Sequence, residues 1–204
     1  MVPEAVAARI RARELYGLDR HRLLAAVLSP SRYHHSVCVA RRARELAVLH
    51  ALDLERAALA GLLHDCGRAL TPDALVRYAR RHRLSAPLLA ETAAEAPMLL
   101  HAYVGEALAR RRYGVSDPLV LRAIRTHTLG ALDMSAFEKL VYAADACSAD
   151  RTYPEARPIR AAARRDLDAG LARAVNAKLV HALSEGSWIH PLGIELWNLL
   201  EERA

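Results

Sequence analysis

The sequence predicts an all-α chain folded as a single helical bundle, and three observations carry that expectation. Strand signals are missing, because β-branched and aromatic residues are few and nowhere alternate over a useful length. Helix starts recur, with Ser, Thr or Asp placed ahead of a proline or an apolar run. The segment Ala57-Ala58-Leu59-Ala60-Gly61-Leu62-Leu63 is almost wholly apolar, and a helix apolar on every side must be buried.

The elements follow in order. Pro3 starts a helix that Gly17 ends, and a second short one runs from about Asp19 to Ser29-Pro30. The next spans Ser31 to about His50, with an apolar stripe at Val39, Ala43, Leu46 and Ala47; His35 lies one turn before Val39. Asp53 caps the buried helix that ends at His64-Asp65. Cys66 to Leu70 breaks it, and Thr71-Pro72 caps a new helix. A polar stretch from Arg77 to Arg83 leads to short helices around Ser85 to Ala94. Pro97 opens a helix carrying His101, Val104, Gly105 and Leu108, closed by Gly114. Asp117-Pro118 caps the next, which ends near His127-Thr128 and Gly130. Ser135 and Glu138 form a capping box, and its helix is expected to place Val141, Tyr142 and Asp145 along one face. A loop from Ser148 to Pro158 carries Arg151. One long helix is expected from about Ile159 to Leu183, and Ser187 to Pro191 separates it from a last helix ending near Leu200.

Length and composition narrow the function classes. At 204 residues the chain can bury a full core as one large domain. No apolar run reaches the length of a membrane span, and the N-terminal stretch has no signal-peptide pattern, so a cytoplasmic protein is expected. Three cysteines, Cys38, Cys66 and Cys147, lack CxxC spacing and read as small buried hydrophobes. The formal charge of +6 favours anionic partners. Lys139 and Lys178 are the only lysines among 29 basic residues, so part of that charge reflects a composition rich in Ala, Arg and Leu.

The chemistry starts at His64-Asp65. An imidazole and a carboxylate at the end of a buried helix are costly unless something pairs with them. A metal ion does so well, since it takes a neutral histidine nitrogen and an ionised carboxylate oxygen. Four further residues of ligand type lie on or at the ends of helices with apolar faces: His35, His101, His127 and Asp145. Singly, each is most simply a satisfied core or surface residue, as His21, His50, His82 and His181 are expected to be. Together, in the order H…HD…H…H…D, they are far more specific.

That order resembles the HD-domain metal-dependent phosphohydrolases. The segments Arg32-Tyr33-His34-His35-Ser36, Leu63 to Arg68, His101 to Gly105, Ala123 to Gly130, Ala144-Asp145 and Arg151 are similar to the YqeK family, whose members are symmetrical diadenosine tetraphosphate hydrolases. The resemblance covers roughly Ser31 to Asn198. It implies residues 31–204 as the HD-type domain behind an N-terminal helical extension over residues 1–30. It implies iron, as one ion or a binuclear centre, held by His35, His64, Asp65 and Asp145, with manganese or zinc also suited to such ligands. His64, Asp65, His101 and His127 would be catalytic. Substrate contacts would come from Arg32, Arg68, His101, His127, Thr128, Arg151, Trp188 and His190.

The chain departs from the family in two places. Ser148-Ala149-Asp150-Arg151 stands where Glu-Pro-x-Arg is usual, which removes one carboxylate from the group that would support the site or contact the base. Arg68 stands where lysine is common, exchanging a point charge for a planar fork. Taken alone, Arg68 and Arg151 read as solvated loop arginines, and Trp188 and Trp197 as core. Another HD-domain nucleotide phosphohydrolase is therefore the second reading. A basic helical RNA- or ribosome-binding protein is the third; the missing helix-turn-helix and RNP-type signatures count against it. A nucleotide substrate is expected, with no membrane and no nucleic acid. The N-terminal helix leaves open a cover over the core or a homodimer contact.

Overall fold

The computed structural model describes residues 19–202. The helix expected from Pro3 to Gly17 lies outside that range. Residues 19–25 are helical and are labelled α1. Then come α2 (Pro30–Leu49), α3 (Leu54–Leu63), a 3₁₀ turn (Cys66–Ala69), α4 (Pro72–Arg81), α5 (Leu89–Glu95), a second 3₁₀ turn (Pro97–Leu100), α6 (His101–Arg112), α7 (Pro118–Thr126), α8 (Ala136–Ala146), α9 (Ala156–Ala163), α10 (Leu167–Ser184) and α11 (Pro191–Glu201). The described residues contain no strand.

The caps account for most of these boundaries. Side chains of Asp53, Thr71, Asp117 and Asp166 accept backbone N–H groups in the first turns of α3, α4, α7 and α10, each removing an orphan donor for about 1 kcal/mol. Ser135 and Glu138 form the reciprocal box at the start of α8. The second oxygen of Glu138 accepts from Thr126 Oγ1 and Arg122 Nε. This buried carboxylate therefore ties the start of α8 to the end of α7, directly before His127.

Helix α8 is central. Phe137, Leu140, Val141 and Ala144 join a core built with α2, α3 and α7. Tyr142 and Ala146 face a second core with Ile159, Leu171, Val175 and Leu196. Val141 and Tyr142 thus part company, against the expectation of one shared face, because adjacent helical residues point about 100° apart. Leu24 and Leu28 are buried in the first core, so part of the expected N-terminal extension packs within the bundle.

The long helix expected from Ile159 to Leu183 is two helices. Proline at position 158 is accommodated in the first turn of α9, where no helical N–H is lost. Asp166 then leaves the helical conformation and caps α10. The reason for the break is tertiary. A Cβ on Gly170 would lie 2.7 Å from Ala163 Cα, so the two helices touch backbone to backbone there and cannot be collinear. Gly61 makes a similar contact, since its Cβ would lie 2.9 Å from Ala40 Cα. That close approach of α2 and α3 brings the His35 and His64 rings together, with centroids 5.2 Å apart.

Candidate metal centre and substrate cavity

Six side chains from five places in the chain converge. His35 comes from the second turn of α2, and His64 and Asp65 from the end of α3. His101 opens α6, His127 ends α7, and Asp145 sits in the last turn of α8. All six are buried. They are the six the sequence singled out. Among the described residues, two overlapping sets have ligand atoms close enough to share an ion: His35, His64 and Asp145, and His64, Asp65 and His127.

The histidine tautomers are fixed from outside the cluster. His64 Nδ1 lies 2.7 Å from Gly61 O, His127 Nδ1 lies 2.7 Å from Ile124 O, and His101 Nδ1 faces Met98 O. A carbonyl can only accept, so each Nδ1 donates and each Nε2 carries a lone pair directed inward. Burial lowers the pKa of His64 to about 4 and also lowers those of His101 and His127, which favours the neutral rings. His35 differs. Burial opposes its charge, but the hydrogen bond and charge of Asp145, helped by Asp150, outweigh it and raise the pKa.

The carboxylates complete the donor set. Asp145 Oδ1 lies 3.1 Å from His35 Nε2 and 3.8 Å from His64 Nε2. Asp65 Oδ1 lies 3.2 Å from His101 Nε2 and 3.6 Å from His127 Nε2. Burial alone would raise both acids. For Asp65, the surrounding His64, His101 and His127 rings outweigh it, and for Asp145 the Lys178 charge and His35 do so. Both pKa values end well below the usual carboxylate range.

This arrangement fits a metal ion on a specific ground. His64 Nε2 is buried with no hydrogen-bond partner, a state that costs about 1–3 kcal/mol unless a cation or proton meets the lone pair. Imidazole nitrogens with carboxylate oxygens, each imidazole oriented through its other nitrogen, are what a borderline transition metal takes.

Cations flank the acids. Arg68 Nε lies 2.9 Å from Asp65 Oδ1, and Arg32 Nη1 lies 3.6 Å from Asp65 Oδ2. Arg151 donates from Nη2 to Asp145 Oδ1 at 2.6 Å and from Nε to the Asp145 backbone oxygen at 3.1 Å. Arg68 and Arg151 are thus held at the site rather than loose in solvent. Thr128 Oγ1 lies 2.9 Å from His127 Nε2 and 3.1 Å from His101 Nε2.

A cavity of about 670 Å³ leads away from this cluster. Asp65, Arg68, His127, Thr128, Asp145 and Arg151 form one end of its lining, and Leu129, Tyr142, Val175, Leu179 and Trp188 supply apolar wall. Trp188 therefore lines the cavity rather than the core, whereas Trp197 packs on the second core. His190 also lines it, yet its ring is tied on both sides: Nδ1 accepts the Leu192 N–H that starts α11, and Nε2 faces Pro87 O at 3.2 Å.

Two site residues escaped the sequence reading. Asp150 Oδ2 lies 2.8 Å from His35 Nδ1, while its Oδ1 accepts from Ser148 Oγ at 2.7 Å. It orients His35 as the carbonyls orient the other rings. The sequence showed Asp150 only as part of a departure from the family pattern, and a carboxylate five residues beyond Asp145 was the available signal. Lys178, from α10, reaches Asp145 Oδ2 at 3.4 Å. One of two lysines in an arginine-rich chain was a signal, but nothing local placed it near Asp145.

The fold and site agree with known proteins. The family model described as HD domain matches residues 32–150. Symmetrical bis(5'-nucleosyl)-tetraphosphatase from Bacillus subtilis (strain 168) is 32% identical over 186 residues, which span 90% of this chain and 98% of the relative. The Staphylococcus aureus (strain NCTC 8325 / PS 47) protein of the same name is 34% identical over 139 residues, 68% of this chain and 70% of that one. A crystal structure from Clostridium acetobutylicum, described as a predicted HD superfamily hydrolase involved in NAD metabolism, superposes with a TM-score of 0.85 at 31% identity. It covers 91% of this chain and 97% of that one. With the six ligand-type residues gathered at one point and all of them inside the matched stretch, the chain belongs to the HD domain family, on the YqeK-like branch that its motifs resemble.

Proposed function

We propose that this protein hydrolyses diadenosine tetraphosphate symmetrically, releasing two ADP, at the cluster centred on His64 and Asp65. The observation that carries the reading is the buried, unpartnered His64 Nε2 between Asp65 and Asp145, both of which line a cavity that Arg68 and Arg151 also line. Relatives named symmetrical bis(5'-nucleosyl)-tetraphosphatase, aligned over nearly their whole length, support the substrate.

His35, His64, Asp65 and Asp145 would hold the metal, and the resemblance favours iron. When bound, the metal supplies a nucleophile near neutral pH and polarises the attacked phosphoryl group. The chain's own residues do the rest. Asp65, held ionised and fixed through Arg68 Nε, orients the attacking oxygen. His101 and His127 present unprotonated Nε2 atoms, which suit a second metal position, and the Thr128 hydroxyl beside them donates to a reacting phosphoryl oxygen. Arg68 and Arg151 offset charge on the transferring phosphoryl and the leaving nucleoside diphosphate. Leu129, Tyr142 and Trp188 give the nucleoside an apolar wall and exclude water from it.

Another HD nucleotide phosphohydrolase is the second reading, kept by the serine at 148. That hydroxyl bonds Asp150 and the Asp145 backbone oxygen, so the departure acts on His35 before it acts on substrate. No helix among the described residues is long and apolar enough to cross a membrane. Three free, buried cysteines fit a reducing compartment such as the cytoplasm.

The test is to incubate metal-loaded protein with diadenosine tetraphosphate and resolve the products by chromatography, with Asp65→Ala in parallel. Two ADP as sole product, lost in the variant, is the expected result. AMP plus ATP would keep the hydrolase and move the attacked phosphorus. No turnover with iron, manganese or zinc would sink the reading.

A further inference from the structure

Lys178 makes its shortest hydrogen bond to a neutral group rather than to the Asp145 carboxylate. Asp145 already has Arg151 at 2.6 Å and His35 at 3.1 Å. The ammonium lies farther off, 3.4 Å from Asp145 Oδ2. It is held instead by two other groups: it donates to the His127 backbone oxygen at 2.8 Å, and it sits 3.8 Å from the centroid of the Tyr142 ring. Carbonyl and ring face together fix a cation in place without neutralising it.

Its location matters. Lys178 is carried by α10, the helix that also contributes Val175 and Leu179 to the cavity wall. Its ammonium reaches the carboxylate end while its neighbours form the apolar part. The side chain is one-third exposed and lines the cavity. A phosphate chain whose reacting phosphorus lies beside Asp145, in a cavity that Tyr142 and Lys178 both line, comes within reach of this ammonium.

We propose that Lys178 is a substrate-binding residue that contacts the phosphate oxygens of the nucleoside diphosphate half seated in the cavity. The contact is with a polyphosphate anion and is indifferent to the base. It strengthens as negative charge collects on that diphosphate when the anhydride bond breaks, so it contributes to turnover as well as to binding. The proposal rests on the phosphohydrolase reading above, and the experiment separates the two.

Wild-type, Lys178→Met, Lys178→Gln and Lys178→Arg proteins, each metal-loaded and checked for metal content and melting temperature, are titrated calorimetrically with ADP, inorganic pyrophosphate and adenosine. Diadenosine tetraphosphate turnover is followed alongside. Expected are losses of about 10- to 100-fold in ADP and pyrophosphate affinity for Met and Gln, unchanged adenosine affinity, and partial recovery with Arg. A residue that serves only to neutralise Asp145 would change metal content and leave ADP affinity at full metal loading unaltered. That result, or equal affinities throughout with wild-type turnover intact, overturns the Lys178 assignment and leaves the hydrolase standing. Lys178-dependent pyrophosphate binding without turnover in the wild type supports the assignment and removes the hydrolase reading. Neither turnover nor Lys178-dependent anion binding removes both.

Discussion

The Nε2 atoms of His101 and His127 lie 3.1 Å apart, and each ring's single proton is committed to a backbone carbonyl on its far side. Two lone pairs therefore face each other across a contact that only a cation, a shared proton or the Thr128 hydroxyl can relieve.

A first prediction concerns metal removal. Chelation should lower thermal stability, because metal that binds only the folded cluster stabilises by about 2.7 kcal/mol at a hundredfold excess over its Kd. Scanning calorimetry with and without chelator measures this. His64→Ala should abolish the metal-dependent part, and an unchanged response would argue against His64 as a ligand.

A second concerns pH, for metal-stripped protein. His64 has its folded pKa lowered from 6.5 to about 4. Its contribution is fully present above pH 6.5, where both states are neutral. It is lost as pH falls from 6.5 toward 4, where the unfolded state alone takes the proton. For this fully buried ring the change is about 3 kcal/mol. Asp65 and Asp145, with pKa values depressed in the fold, add a further loss below about pH 4. Denaturant midpoints across pH 4–8 should fall on the acid side, and His64→Gln should flatten the upper part of the curve.

Asp150 yields a third. Asp150→Asn keeps an acceptor for His35 Nδ1 but removes the charge, and Asp150→Ala removes both. Metal affinity should fall about tenfold for Asn and up to about 100-fold for Ala, in competition titrations with a chelator. Equal affinity in all three proteins would reduce Asp150 to a loop residue.

Gly67 yields a fourth. A Cβ there would fall on the His101 backbone oxygen, within the contact between the turn after Asp65 and the start of α6. Gly67→Ala must push these backbones apart, which should cost about 1–3 kcal/mol of stability and displace His101 from Asp65. A melting-temperature loss with reduced turnover is expected, whereas the same change at Gly114, where a Cβ meets nothing, should be felt only as strain at its positive φ of 64°.

The all-α class, most helix starts and the six converging residues of ligand type were legible in the sequence by itself. Caps such as Asp53 and Ser135-Glu138 act within four residues, and burial of a histidine on an apolar helix is a local inference. What only the tertiary structure decided was non-local. The split between α9 and α10 depends on Gly170 meeting Ala163. The partner of His35 Nδ1 lies 115 residues away at Asp150. Lys178 reaches Asp145 across 33 residues, and Trp188 faces the cavity rather than the core. A helix period says which face a residue occupies, but which neighbour that face meets depends on how α2, α8 and α10 pack. Packing is set by backbone approach at small residues such as Gly61 and Gly170, for which periodicity carries no signal.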